Sequence, residues 1–212
     1  MFLLRRPTAD DIHHYIRDQR SESFSYEDVG LSRDDEHPRG FDVARHSVEL
    51  GTGMQAFDAA CEAIRNWKMF PREMATLYWP SIEPVGGSEV VVGFRIGPLW
   101  SLNPCRVIYT VDSDSDSVAK YGFAYGTLPG HVEKGEERFQ VVWNKVTGIV
   151  SYEIFVFSAA QHVLAKVGYP FVLLQQSRFR RLSGLAMQQI VTASEASLSV
   201  ESEDSRLRMV NA

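Results

Sequence analysis

Cysteine is scarce in this chain of 212 residues. It has two, Cys61 and Cys105, far apart and with no metal-ligand spacing around either. That excludes a disulfide framework as the organising feature and fits a reducing compartment. Each sits in an apolar pattern and reads as a small buried hydrophobe. Long apolar runs are also missing. Nothing approaches the roughly eighteen uninterrupted apolar residues of a spanning helix, so stable membrane insertion is not expected. Basic charge is in deficit: 22 Lys and Arg against 27 Asp and Glu give a formal charge of -5, which argues against a nucleic-acid partner. The opening Met1-Phe-Leu-Leu-Arg-Arg-Pro7 becomes charged too soon for a signal peptide. The cytoplasm is therefore the expected compartment.

What is present is an ordinary globular composition, long enough for one well-buried core. Residues 1–50 are polar and mixed, with seven Arg against eleven acids, and read as a possible lid or small lobe. Asp10 is placed to cap a short helix over Ile12, Tyr15 and Ile16, and Ser32–Gly40 reads as loop. Val43 to Leu50 reads as the first strand, leading into a helix. Thr52 and Gln55 have capping-box spacing, and Met54, Phe57, Ala60, Cys61, Ile64 and Trp67 follow a helical period. A second helical element is expected from Met74 to Pro80.

Beyond Val85 the period shortens. Strands are expected over Val90–Ile96, Cys105–Val111, Tyr121–Tyr125, Glu137–Trp143 and Ile149–Phe157, with a break at Ser101–Pro104 and a hairpin at Asn144–Gly148. The last strand carries Phe155 and Phe157 opposite Val150, Tyr152, Ile154 and Val156, so part of it should be covered on both sides. Val163, Val167, Phe171, Leu174, Leu182 and Leu185 trace an apolar face on a closing helix, interrupted near Gly168 and Pro170. The element order predicts an α+β fold: a curved antiparallel sheet packed against a long C-terminal helix, of helix-grip (START/SRPBCC-like) type. Residues 51–192 would form this core and 193–212 a frayed tail.

Several motifs stand out: Phe24-Ser-Tyr-Glu-Asp-Val-Gly30, Pro38-Arg-Gly-Phe41, Phe57 through Trp67-Lys-Met-Phe70, Tyr125-Gly-Thr-Leu-Pro-Gly-His131 and Gly135-Glu-Glu-Arg-Phe139. In these the chain resembles the DUF1990 (UPF0548) family of uncharacterised bacterial and plant proteins, over roughly residues 12–190. Leu31-Ser32 stands where the family pattern leads one to expect Ala-Thr. The resemblance implies homology and an intracellular location, not a chemistry.

The strongest local feature is the run from Tyr125 to Glu137. Its three glycines and one proline specify an unusual loop. One reading makes it a structural turn; the other places it at the mouth of a cavity between sheet and helix. In the second reading Thr127 and His131 meet the polar end of a ligand, and Tyr109, Tyr125 and Tyr152 line the wall with their hydroxyls inward. A catalytic variant uses His131 as acid and base near neutrality, oriented by Glu133, Glu137 or Glu153. His131 and Glu133 are two apart and share a face of an extended segment. The set His131, Glu133 and Glu137 also has the donor types of a zinc site, but not the spacing of a known motif, and no metal or cofactor is assigned. His13-His14 point in different directions on a helix. Asp112, Asp114 and Asp116 lack the rest of a calcium loop.

Residues 161–181 contain Lys166, Arg178, Arg180 and Arg181 and no acid, a basic surface that suits the end of a helix or an anionic partner. Three functions remain open. The first is binding of a small apolar or amphipathic molecule, the second an enzyme built on His131, and the third an interaction module without a cavity.

Overall fold

The long alternating stretches between residues 89 and 160 fold as one antiparallel meander. The computed structural model describes residues 1–78, 83–161 and 169–210. Its strands are β1 (Phe2–Leu3), β2 (Asp42–Thr52), β3 (Ala75–Tyr78), β4 (Glu89–Ile96), β5 (Leu99–Asp114), β6 (Val118–Thr127), β7 (Glu133–Asn144) and β8 (Ile149–Ala160). Its helices are α1 (Ala9–Gln19), α2 (Gly53–Arg65) and α3 (Tyr169–Val210), with a 3-10 turn at Leu31–Asp34. The sheet order is β2-β8-β7-β6-β5-β4-β3, every pairing is antiparallel, and β1 adds beside β5. This is an α+β fold of the expected helix-grip arrangement, a curved antiparallel sheet packed against a C-terminal helix. The first fifty residues contribute two strands to that sheet, β1 and most of β2.

The sheet is covered on both faces. On the inner face, α2 buries Ala56, Ala60, Cys61, Ala63 and Ile64, and α3 buries Phe179, Met187 and Val191. They close over Phe123, Phe139, Tyr152 and Ile154, each 1% exposed or less. Every fully buried side chain of this size is worth about 1.5–3 kcal/mol. On the outer face, Ile12 and Ile16 of α1 pack on Val91 and Leu102. Beside them Phe24, Tyr26 and Phe41 cover Phe155 and Phe157, which gives β8 the two-sided burial its pattern requires.

Several local expectations are corrected. The stretch after Pro71 is not a second helix: Thr76 and Tyr78, good strand formers, pair with β4 together with Leu77, while Trp79 and Pro80 lie outside the described residues. There is no break at Ser101–Pro104, which lies inside β5. Pro104 falls just past the last β5–β6 pair, Cys105 with Thr127, and a proline lacks only the donor; its carbonyl still accepts from Leu128 N at 3.0 Å. Helix α1 is capped by Thr8 rather than Asp10, in a capping box with Asp11. Thr52 is the N-cap of α2 but its side chain makes no capping bond.

The buried stripe of α3 also differs. Leu174 and Leu185 are exposed, at 65% and 40%. Val163 and Val167 lie outside the described residues, as does the Phe171 side chain. The stripe instead runs through Phe179, Ser183, Met187 and Val191, spaced four apart, with Ser183 fully buried. Gly184 sits beside it against β2, where a Cβ would come within 2.8 Å of His46 Nε2. Small residues let the helix approach the sheet, and hydrophobicity alone points to the wrong face.

Candidate functional site

The alternation of β7 decides what each acid of Gly135-Glu-Glu-Arg-Phe139 can do. The Phe139 and Glu137 side chains face inward, while those of Glu136 and Arg138 turn outward to the N-terminal segment. Inward there is a cavity of about 260 Å³ between the sheet and α3. Its apolar wall includes Val92, Phe94, Val156 and Phe179, and its polar wall gathers Tyr125, His131, Glu133, Glu137, Gln176 and Arg180.

The polar wall is organised around two carboxylates. Tyr125 OH donates to Glu137 Oε2 at 2.7 Å, the only hydrogen bond the Glu137 carboxyl group makes among the described residues. Burial pushes Glu137 up to about 7, against the opposing effects of the Tyr125 bond and the Arg180 charge. Burial also raises Glu133, and here Gln176 and Ser158 resist the shift. Gln176 Nε2 donates to both Glu133 oxygens at 2.8 Å, and Ser158 Oγ donates to one of them at 3.4 Å. Arg180 is lowered by burial and held up by Glu137 and Glu133. It has no ion pair within 4 Å among the described residues.

His131 differs from the expected acid and base. Burial takes it down to about 4, so the ring is neutral at pH 7. Its Nδ1 lies 2.9 Å from both the backbone N and O of Glu133. A peptide, not a carboxylate, orients the ring. Nε2 is the nitrogen left for the cavity.

The other expected residues divide. Thr127 lines the cavity, but its hydroxyl is used internally: Oγ1 accepts from Gly135 N at 2.9 Å and lies 2.6 Å from Ser25 Oγ. Tyr109 is corrected to the opposite face. A β-bulge between Val107 and Tyr109 changes the parity of β5, and the Tyr109 hydroxyl meets Ser32 Oγ at 2.8 Å under the N-terminal segment. Tyr152 is fully buried below the cavity and bonds Ser183 Oγ of α3 at 2.8 Å. Of the basic group, Arg178 and Arg180 line the cavity, Arg181 is exposed, and Lys166 lies outside the described residues. His131, Glu133 and Glu137 do not converge as metal ligands; among the described residues no three His, Cys, Asp or Glu side chains do so. Asp114 instead pairs with Lys145 at the end of its hairpin. Asn103 and Gln176 escaped the sequence reading. Asn103, 1% exposed, lay hidden in the supposed break, and Gln176 in a helix read for its apolar and basic residues.

Comparison with known proteins places these residues in a family. The model described as a domain of unknown function, DUF1990, matches residues 25–186. The chain belongs to the DUF1990 family. A UPF0548 protein of Dictyostelium discoideum is 34% identical over 195 residues, 84% of this chain and 90% of that one. A UPF0548 protein of Arabidopsis thaliana is 33% identical over 161 residues, 73% of this chain and 76% of that one. Among solved structures, a point mutant of norcoclaurine synthase from Thalictrum flavum aligns with a TM-score of 0.47 at 12% identity, covering 76% of this chain and 99% of that one.

The DUF1990 motifs of this chain meet on the outer face. Glu136, 2% exposed, accepts from Tyr26 OH at 2.9 Å and from the amides of Gly30 and Ser32. Arg138 donates to Ser32 O and Asp35 Oδ1, both at 2.6 Å. So Phe24–Gly30 is clasped by Gly135–Phe139. Two glycines allow the close approach. A Cβ on Gly126 would strike the Tyr26 hydroxyl, and one on Gly135, at φ +146°, the Phe157 carbonyl.

Proposed function

We propose that this DUF1990 protein binds a small, largely apolar molecule between the sheet and α3, with a neutral polar group of the ligand against Tyr125, Glu137 and His131. One observation carries the reading. Glu137 lines a mostly apolar cavity, its carboxyl group holding one hydrogen bond among the described residues, and sits near its titration point at neutral pH. A carboxyl in that state can donate to or accept from a ligand. Neutral His131 adds Nε2 to the same wall. A volume of about 260 Å³ is near the lower end of small-molecule pockets, roughly 300–1,000 Å³, so the ligand is small. If the cavity supports a chemical step, Glu137 is the group whose charge changes near neutrality, not His131.

The test is fluorescence titration with N-phenyl-1-naphthylamine, a neutral apolar probe, on the wild type and on Val156→Trp, whose larger side chain fills the cavity. Saturable binding lost in a folded Val156→Trp supports the reading. Equal binding by both proteins, or none by the wild type, overturns it. Native mass spectrometry of protein from its own cells then identifies a resident ligand, and loss of that ligand in Glu137→Ala locates its polar end.

A further inference from the structure

A second concavity of about 610 Å³ adjoins the cavity, and Glu73, Met74 and Arg95 line both. It is strongly basic for a chain of formal charge -5. Arg5, Arg6, Arg72 and Arg95 all line it, with Glu73 as the one acid among its described lining residues. Arg5 is occupied: its guanidinium grips Asp11 with two bonds, at 2.6 and 2.9 Å. The others are not. Arg95 donates Nε to Gly97 O at 3.1 Å, which leaves its terminal nitrogens. The Arg6 and Arg72 side chains make no hydrogen bond or ion pair among the described residues. These residues come from three separate parts of the chain: the segment after β1, the approach to β3, and β4. Three guanidinium groups with unspent donors therefore face one concavity, a positive excess of two over Glu73. Pro98 and Trp100 give it an apolar side.

Guanidinium groups prefer planar or tetrahedral oxyanions, which accept several of their donors at once. We infer that the ligand of the cavity is an anionic amphiphile, its apolar body between sheet and α3 and its carboxylate or phosphate held outside by Arg6, Arg72 and Arg95. This rests on the cavity reading and adds the charge class of the ligand. It also gives the adjoining of the two concavities a purpose, since one molecule can occupy both.

The test is displacement of N-phenyl-1-naphthylamine by octyl phosphate, octanoate and octan-1-ol, which share an eight-carbon chain and differ in charge. The anions should displace the probe at about tenfold lower concentration than the alcohol, and the advantage should shrink as salt is added. In the double variant Arg6→Glu/Arg72→Glu the advantage should vanish while probe affinity holds, because neither residue lines the cavity. An advantage shared by both anions supports a general oxyanion site; one confined to octyl phosphate supports the site and assigns it to phosphate. If octan-1-ol competes as well as the anions, or the double variant keeps the preference, the inference fails and the cavity reading stands. If the wild type binds neither probe nor alcohol, the cavity reading fails and takes this inference with it.

Discussion

Glu136 and Glu137 are adjacent, chemically identical and placed on opposite faces of β7, and their surroundings could hardly differ more. Glu136 is buried at 2% exposure and meets three donors from the N-terminal segment. The Glu137 carboxyl group meets one hydroxyl on the inner face and is pushed up to about 7. The outer carboxylate has its capacity spent on holding Tyr26 to Ser32 against the sheet. The inner one has capacity left. A buried acceptor with all its donors is structural, whereas a buried acceptor short of donors is poised for a ligand or a proton.

The sharpest way to break this contrast is to remove the outer carboxylate. Glu136→Ala orphans the Tyr26 hydroxyl and the Gly30 and Ser32 amides, and it should cost about 3–5 kcal/mol in urea unfolding. The folded fraction should still bind N-phenyl-1-naphthylamine with wild-type affinity. A loss below about 1 kcal/mol would show that the clasp is not what holds the segment.

The inner carboxylate should behave with the opposite sign. Folded Glu137 keeps its proton to about 7, whereas an ordinary glutamate loses it near 4.5. Between those values the folded protein holds more protons, so this group's contribution to stability falls as pH rises, and above 7 the ionised carboxylate is a net cost. Glu137→Gln should stabilise the protein by about 1–3 kcal/mol at pH 8 and leave it unchanged at pH 4. His131 acts in reverse. Its folded value near 4 lies below the ordinary 6.5, so stability is lost as pH falls through that interval. Glu137→Gln should therefore unmask a stability that climbs from pH 4 to 6.5, and His131→Asn one that declines from pH 4.5 to 7. Chemical denaturation across this range reads both. Parallel profiles for the two variants would contradict the assignments.

Much of this site was legible because β-strand parity is rigid. The alternation from Ile149 to Phe157 gave two-sided burial of β8, and Tyr125 with Glu137 fell on one face because β6 and β7 pair in register. Parity failed where it was interrupted. One bulged residue at Ile108 sent Tyr109 to the back of the sheet, and a bulge has no reliable mark in an alternating run. The apolar stripe of α3 failed for another reason. Ser183 and Gly184 are buried because they are small, and a hydrophobic pattern does not register close approach. The clasp was visible only as two motifs, since the pairing of Tyr26 with Glu136 spans 110 residues and has no local signature. The same holds for Gln176 on Glu133.

Thr127 marks the boundary between the two regions, and its test has the smallest expected effect. Its side chain lines the cavity, yet its hydroxyl ties the end of β6 to Gly135 and to Ser25 of the clasped segment. Valine keeps the shape of threonine and removes only the hydroxyl. Thr127→Val should cost about 1–2 kcal/mol, because the Gly135 amide loses its acceptor. It should leave the affinity for N-phenyl-1-naphthylamine unchanged, because a hydroxyl committed to Gly135 and Ser25 has nothing left to give a ligand. The backbone bond from Ser25 N to Thr127 O, 3.0 Å long, survives the change and keeps the segment in place. Weaker probe binding at unchanged stability would reverse the conclusion, moving Thr127 from the clasp to the ligand.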